Sequence, residues 1–232
     1  MKISGIQKMT LLDFPGKVAC TVFLGGCNFR CPFCHNSQLF GAGAEKLMDT
    51  EQFLAFLKGR QGLLDAVCVS GGEPTLTKDL EELLRSIKAL GYSVKLDTNG
   101  SNPKVLKNLV AEGLVDYVAM DVKNRPDRYA ETVGLPKTDL AHIEESLQFL
   151  LAGNVAYELR TTVVLPLHDD ASIEEMGRWV GTMGKPEKWF LQKFTDRDTV
   201  IFSGLNAPED SQMAAWRELL SSYAEYAAIR GE

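Results

Sequence analysis

Three cysteines fall within eight residues, Cys27, Cys31 and Cys34 in the stretch CNFRCPFC, while the other two of the chain, Cys20 and Cys68, stand apart in apolar runs. Thiolates ligate zinc and iron–sulfur clusters alike, and an ordinary site of either kind takes four protein ligands. His35 is the one nearby fourth candidate for zinc, and because it follows Cys34 directly its ring would have to fold back onto the same ion. His142 lies in a helical pattern, and His168, followed by Asp169 and Asp170, reads as a solvated loop. Three thiolates without a fourth favour a [4Fe–4S] cluster with one iron left open, since an open coordination position marks a catalytic metal rather than a structural one. Structural zinc and a plain electron-carrying cluster are the alternatives. Cys20 and Cys68 read as small buried hydrophobes.

Further polar residues gather in short motifs. SGGEP, 70–74, is in its plainest reading a strand-to-helix turn, with two glycines that allow positive φ and close backbone approach. Beside an open iron, Gly71, Gly72 and Glu73 become a bed for a ligand's amino group. Asp97 with Thr98, and Asp121 with Lys123, suit either a salt-bridged rim or a carboxylate pair for ribose hydroxyls, an amine or a hard cation. DFPG, 13–16, reads as a turn into the first strand.

The elements that must carry these residues alternate regularly. Strands are expected at 17–25, 66–70, 93–97, 115–122, 157–164 and 189–194. Helices are expected at 50–59, 78–90, about 103–112, 140–152 and 172–183, with a closing helix from 208 to about 229. Strand–helix repetition forces parallel strands with helices outside. Six units in 232 residues fall short of the eight that close a barrel, which predicts an α/β fold: a partial (β/α)6 TIM-like barrel with parallel strands, open on one side. A doubly wound sheet would place a glycine-rich dinucleotide turn after the first strand, where the cysteine loop stands. Each motif above except DFPG then ends or follows a strand, at the rim where such barrels do chemistry. No linker or charge block divides the chain, so a single domain over 1–232 is expected, with its core at about 17–194.

The net charge of −6 argues against non-specific nucleic-acid binding. No run approaches the ~18 apolar residues that span a membrane, and the N-terminus lacks the pattern of a signal peptide. A cytoplasmic protein with reduced cysteines is the expectation.

Cys27-x3-Cys31-x2-Cys34 with Phe33 before the last cysteine resembles the motif of the radical S-adenosylmethionine enzymes, and GGEP is that superfamily's second mark. CHN (34–36), DTNG (97–100), DVK (121–123), ELRTTVV and LQKF resemble the activating enzymes that install a glycyl radical in another protein, most of all the subgroup that acts on anaerobic ribonucleoside-triphosphate reductase. The resemblance runs from about residue 3 to 194. It implies that Cys27, Cys31 and Cys34 hold one [4Fe–4S] cluster whose open iron is chelated by S-adenosylmethionine. Reductive cleavage would then give a 5′-deoxyadenosyl radical that abstracts hydrogen from a partner's glycine. Phe33 would lie against adenine, with Asn36 among the cofactor contacts. Gly71, Gly72 and Glu73 would receive the methionyl amine, and Asp97 and Lys123 would face the methionine or ribose end. The resemblance extends to a monovalent cation at Asp97, Thr98 and Asp121. The partners implied are a glycyl-radical enzyme and a flavodoxin- or ferredoxin-type donor. Pyruvate formate-lyase activators carry a histidine near the end of strand six where this chain reads Leu191, Gln192, Lys193, so Gln192 or Lys193 replaces it or the contact is lost. A radical enzyme acting on a small molecule, as in deazapurine biosynthesis, and a non-catalytic electron-transfer module are the competing functions.

Overall fold

A computed structural model describes residues 2–41 and 46–231. Its residues group into two compact units: 1–28, 38–98 and 104–118 in the first, and 29–37, 99–103 and 119–232 in the second.

The first unit opens with an unanticipated strand, β1 (Lys2–Thr10), which runs antiparallel to β2 (Ala19–Leu24) and to the short β3 (Met48–Asp49). Ile3 in β1 is fully buried. Helix α1 (Thr50–Lys58) starts on a capping box in which Asp49 Oδ1 accepts the Gln52 N–H at 2.9 Å and Gln52 Oε1 accepts the Asp49 N–H at 3.0 Å. Then follow β4 (Ala66–Gly71), α2 (Leu80–Ala89), β5 (Ser93–Thr98), α3 (Pro103–Ala111) and the start of β6 (Tyr117–Asp121). The strand order within this unit is β3-β1-β2-β4-β5-β6. Pairing of β2 with β4 and of β4 with β5 is parallel, and the register sets Thr21, Cys68 and Lys95 in one row across three strands. Side chains alternate along a strand, so Phe23, Ser70 and Asp97 share that face two residues further on.

The second unit continues from β6 through α4 (Tyr129–Thr132), α5 (Leu140–Leu151), β7 (Ala156–Val163), α6 (Asp170–Gly181), β8 (Lys188–Lys193), α7 (Asp210–Ser221) and β9 (Tyr226–Ile229). Its strand order is β6-β7-β8-β9, with β7, β8 and β9 parallel. Leu159, Thr161, Trp189 and Leu191 are fully buried on one face, which leaves Arg160, Thr162, Phe190 and Gln192 on the other.

The six anticipated strands are β2, β4, β5, β6, β7 and β8, each within two residues of its expected ends. The strand order has distinct ends, β3 and β9, so the sheet is the open, mostly parallel α/β sheet anticipated. The closing helix is a correction: it stops at Ser221, and Tyr226–Ile229 forms β9 instead of a further turn. Glu225 and Tyr226 donate their N–H groups to the carbonyls of Pro186 and Glu187, and Ala227 pairs with Trp189. An open strand edge offers unpaired backbone groups, and pairing with it outweighs the helical preference of two alanines. His168 is a second correction, because it is 1% exposed and Asp169 behind it caps α6 by accepting the Ser172 N–H at 2.7 Å.

Candidate functional site

In the first unit, β4 ends in the glycine pair. Gly71 has φ +122, and a Cβ there would lie 2.3 Å from the Leu24 oxygen; one on Gly72 would lie 2.1 Å from the Gly26 oxygen and 3.3 Å from Cys27 Cβ. This close approach is hydrogen bonded, with the Gly72 N–H donating to Leu24 O at 2.9 Å and the Glu73 N–H to Gly26 O at 2.7 Å. The Gly26 N–H in turn donates to Leu39 O at 2.7 Å. The glycines therefore let the backbone that carries Cys27 lie directly on the turn after β4. Glu73 is 1% exposed, and its Oε1 accepts the Thr75 N–H at 3.1 Å, the Thr75 hydroxyl at 2.6 Å and the Thr98 hydroxyl at 2.8 Å. At the end of β5, Asp97 accepts from Lys95 Nζ at 2.5 Å and from the Ser70 hydroxyl at 3.0 Å.

In the second unit, the segment 29–37 carries Cys31, Phe33, Cys34 and Asn36. The Arg30 N–H donates to Val133 O at 2.8 Å, and Gly134 (φ +68) lies so close that a Cβ would meet Arg30 O at 2.2 Å. The Cys34 N–H donates to Cys31 O at 3.1 Å, and the Asn36 N–H to Cys34 Sγ at 3.3 Å. Phe33 is buried with its ring edge-on to His168, centroids 6.5 Å apart. The His168 Nε2 faces the Lys123 carbonyl at 2.8 Å, which can only accept, so Nε2 carries the proton and Nδ1 accepts the Val164 N–H at 3.2 Å. Burial pushes its pKa down, so the ring is neutral. It ties the ends of β6 and β7 to the aromatic residue of the cysteine segment.

Asp121 sits between two cations, Lys123 Nζ at 2.9 Å and Arg160 Nε at 3.0 Å. Burial alone would lower the Lys123 pKa, but the Asp121 charge, the Cys31 thiol and the Asp121 hydrogen bond reverse it, and the net direction is up. Lys123 is therefore a fixed ammonium. Cys34 is pushed up by burial, against the Asn36 N–H and the Lys123 charge. Its thiol holds a proton that metal binding must release.

His35 is committed elsewhere: its Nε2 lies 2.7 Å from the Thr195 carbonyl and its ring lies against Phe194. On the strand-six positions, Gln192 Oε1 accepts the Thr162 hydroxyl at 3.4 Å, while Lys193 pairs with Asp210 at 2.5 Å. Gln192 is thus the one of the two that shares a face with Arg160 and Thr162.

The donor set fits a thiolate-held iron–sulfur cluster. All five cysteines are free thiols, three lie on one segment, an N–H points at Cys34 Sγ, and the Gly71–Gly72 turn keeps side chains away from Cys27. A monovalent cation fits less well, because Asp97 and Asp121 each already hold an organic cation. Among the described residues, no group of three His, Cys, Asp or Glu side chains stands ready to hold a metal ion. Sequence reasoning missed two members of the site, Lys95 and His168. Lys95 is detectable as a charge flanked by Val94 and Leu96 inside an expected strand. His168 directly precedes a helix N-cap, a position whose side chain often packs inward.

The radical SAM superfamily model matches residues 21–180. Over 98% of this chain and 95% of its own length, a Methanocaldococcus jannaschii protein provisionally named a glycyl-radical enzyme activating enzyme is 33% identical. The pyruvate formate-lyase-activating enzyme of Clostridium pasteurianum is 30% identical over 54% of each chain. A 7-carboxy-7-deazaguanine synthase of Hyperthermus butylicus is 35% identical over 39% of this chain and 38% of its own. Among solved structures, a domain of a pyruvate-formate lyase-activating enzyme from Bacteroides vulgatus matches with TM-score 0.59 and 17% identity, covering 72% of this chain and 99% of that one. In the described residues no helix is long and apolar enough to cross a membrane. With its fold, its cysteine segment and a family model that spans most of its length, this chain belongs to the radical SAM superfamily.

Proposed function

We propose that this chain is an activase that installs a glycyl radical in a partner protein, with anaerobic ribonucleoside-triphosphate reductase as the partner. The observation that carries this reading is the likeness to the M. jannaschii protein, which extends over 98% of the chain instead of the cofactor motif alone. As a radical SAM enzyme the chain takes a [4Fe–4S] cluster on three cysteines together with S-adenosylmethionine. In this reading Cys27, Cys31 and Cys34 are those ligands, and 1–232 work as one domain. When bound, the reduced cluster and S-adenosylmethionine supply a 5′-deoxyadenosyl radical able to take a hydrogen atom from a glycine Cα.

The chain's own residues would position that chemistry. Gly71 and Gly72 bring bare backbone to the ligand, and Glu73 behind them stiffens the turn through Thr75 and Thr98. Asn36 and Phe33 flank Cys34, with Phe33 set to meet adenine. Lys123, protonated and 14% exposed, offers a cation to a carboxylate, and Asp97 offers an acceptor to an amine or a ribose hydroxyl. The electron donor in this reading is a flavodoxin or ferredoxin, and the setting is an anaerobic, reducing cytoplasm.

The second reading, a radical enzyme acting on a small molecule, draws on the deazaguanine synthase, whose 35% identity covers only 39% of this chain. Anaerobically reconstituted protein, reduced with dithionite and given S-adenosylmethionine, should release methionine and 5′-deoxyadenosine and change its cluster EPR signal. Adding the reductase should then produce a glycyl-radical doublet. Release of 5′-deoxyadenosine without a doublet on any glycyl-radical enzyme tested would remove the activase reading, and no cleavage at all would remove both.

A further inference from the structure

Lys95 is an unusual residue for the middle of a sheet. It is 1% exposed on the central strand β5 and stands opposite Cys68, with Nζ 3.6 Å from Cys68 Sγ and 2.5 Å from Asp97 Oδ1. The burial of an ammonium is strongly unfavourable unless an anion accompanies it. Asp97, two residues on and on the same strand face, is that anion. Its second oxygen accepts the Ser70 hydroxyl at 3.0 Å, and the hydroxyl of Thr98 is given to Glu73 at 2.8 Å. In the second unit, Asp121 holds Lys123 and Arg160. Both carboxylates anticipated as cation ligands are therefore already paired with a cation of this chain.

We propose that the Lys95 ammonium is the built-in counter-cation of Asp97, so that S-adenosylmethionine binding here needs no monovalent metal ion. The proposal rests on the radical SAM site described above. A metal ion at Asp97 would share a carboxylate with an ammonium that cannot leave, because Lys95 is buried against Cys68. One lysine two residues before the aspartate thus sets what the site demands of the medium.

The test uses cluster-loaded protein. S-adenosylmethionine binding is titrated calorimetrically in sodium, potassium and choline chloride at one ionic strength, and thermal unfolding is followed in the same three salts without S-adenosylmethionine. For the parent protein the three Kd values should agree within about twofold, and Lys95→Met should bind about tenfold more weakly in choline and recover in sodium or potassium. The melting temperature should be indifferent to the salt in the parent and raised by the metal ions in Lys95→Met. A parent protein that loses about tenfold in affinity in choline overturns the proposal. So does a Lys95→Met variant that binds like the parent in every salt. If Lys95→Met does not fold, the parent series alone decides. If S-adenosylmethionine fails to bind in any salt, the proposed function falls, and a parent melting temperature that rises with sodium or potassium still refutes the counter-cation.

Discussion

Replacing Gly72 by alanine puts a methyl carbon 2.1 Å from the Gly26 oxygen and 3.3 Å from Cys27 Cβ. Real Cβ contacts essentially never fall below 3.0 Å, so the two backbone segments must separate by at least 0.9 Å. That separation breaks the 2.7 Å bond from the Glu73 N–H to Gly26 O. Leaving both groups unpaired costs about 1–3 kcal/mol, and residual overpacking adds about 1–3 kcal/mol. In a chain of this size each kcal/mol lowers the melting temperature by roughly 2–4 °C, so a drop of about 4–24 °C is expected. Cys27 rides on the displaced segment, so iron and sulfide content after anaerobic reconstitution should fall as well. Gly62→Ala is the control. Unlike Gly72, Gly62 has positive φ, at +79, and nothing lies within 4 Å of its Cβ position. It should cost only the left-handed backbone penalty of about 1 kcal/mol and load its cluster normally. A Gly72→Ala protein that melts within about 2 °C of the parent and binds a full complement of iron would refute the clamp between the glycine turn and Cys27.

Thr98→Val should lose about 1.5–3 kcal/mol in denaturant unfolding, because a buried carboxylate loses one of its hydroxyl donors, and Thr98→Ser should restore most of it. His168 is held neutral with its pKa depressed from 6.5, and the unfolded chain therefore binds the proton more readily. Its contribution is complete above pH 6.5 and is lost as pH falls below that value, at up to about 1.4 kcal/mol per pH unit. His168→Gln should flatten that part of the stability–pH curve, measured by urea unfolding at pH values on both sides of 6.5. Alanine at Cys27, Cys31 or Cys34 should abolish iron loading, whereas Cys20→Ala should retain it, since burial pushes the Cys20 thiol up to about 12 and keeps it from acting as a thiolate. Iron and sulfide assays on the four variants decide this. Arg230→Ala should destabilise by about 2 kcal/mol, because Arg230 pairs with the buried Glu158 and stacks 4.0 Å from the Phe190 centroid; an unchanged denaturation midpoint would count against that anchoring of β9.

Much of this protein is determined locally and is legible in the residues themselves. The period of apolar residues marks the six strands and their helices, because burial of one helix face or of a central strand leaves no other pattern workable. The spacing of Cys27, Cys31 and Cys34 belongs to one segment, and the Gly71–Gly72 pair announces a close backbone approach, so both could be read without a partner in view. The same count places Asp97 and Asp121 at strand ends. Other features depend on what comes from far along the chain. Whether 226–229 continues a helix or becomes β9 is settled by the free edge of β8, which lies more than thirty residues earlier at its start. His168 reads as a loop residue until the Lys123 carbonyl and the Phe33 ring close around it. Lys95 reads as a strand residue of either face until the register with β4 seals it under Asp97. Propensity and spacing act over a few residues, whereas burial of a charge or completion of a hydrogen bond is decided by neighbours that only the tertiary fold supplies.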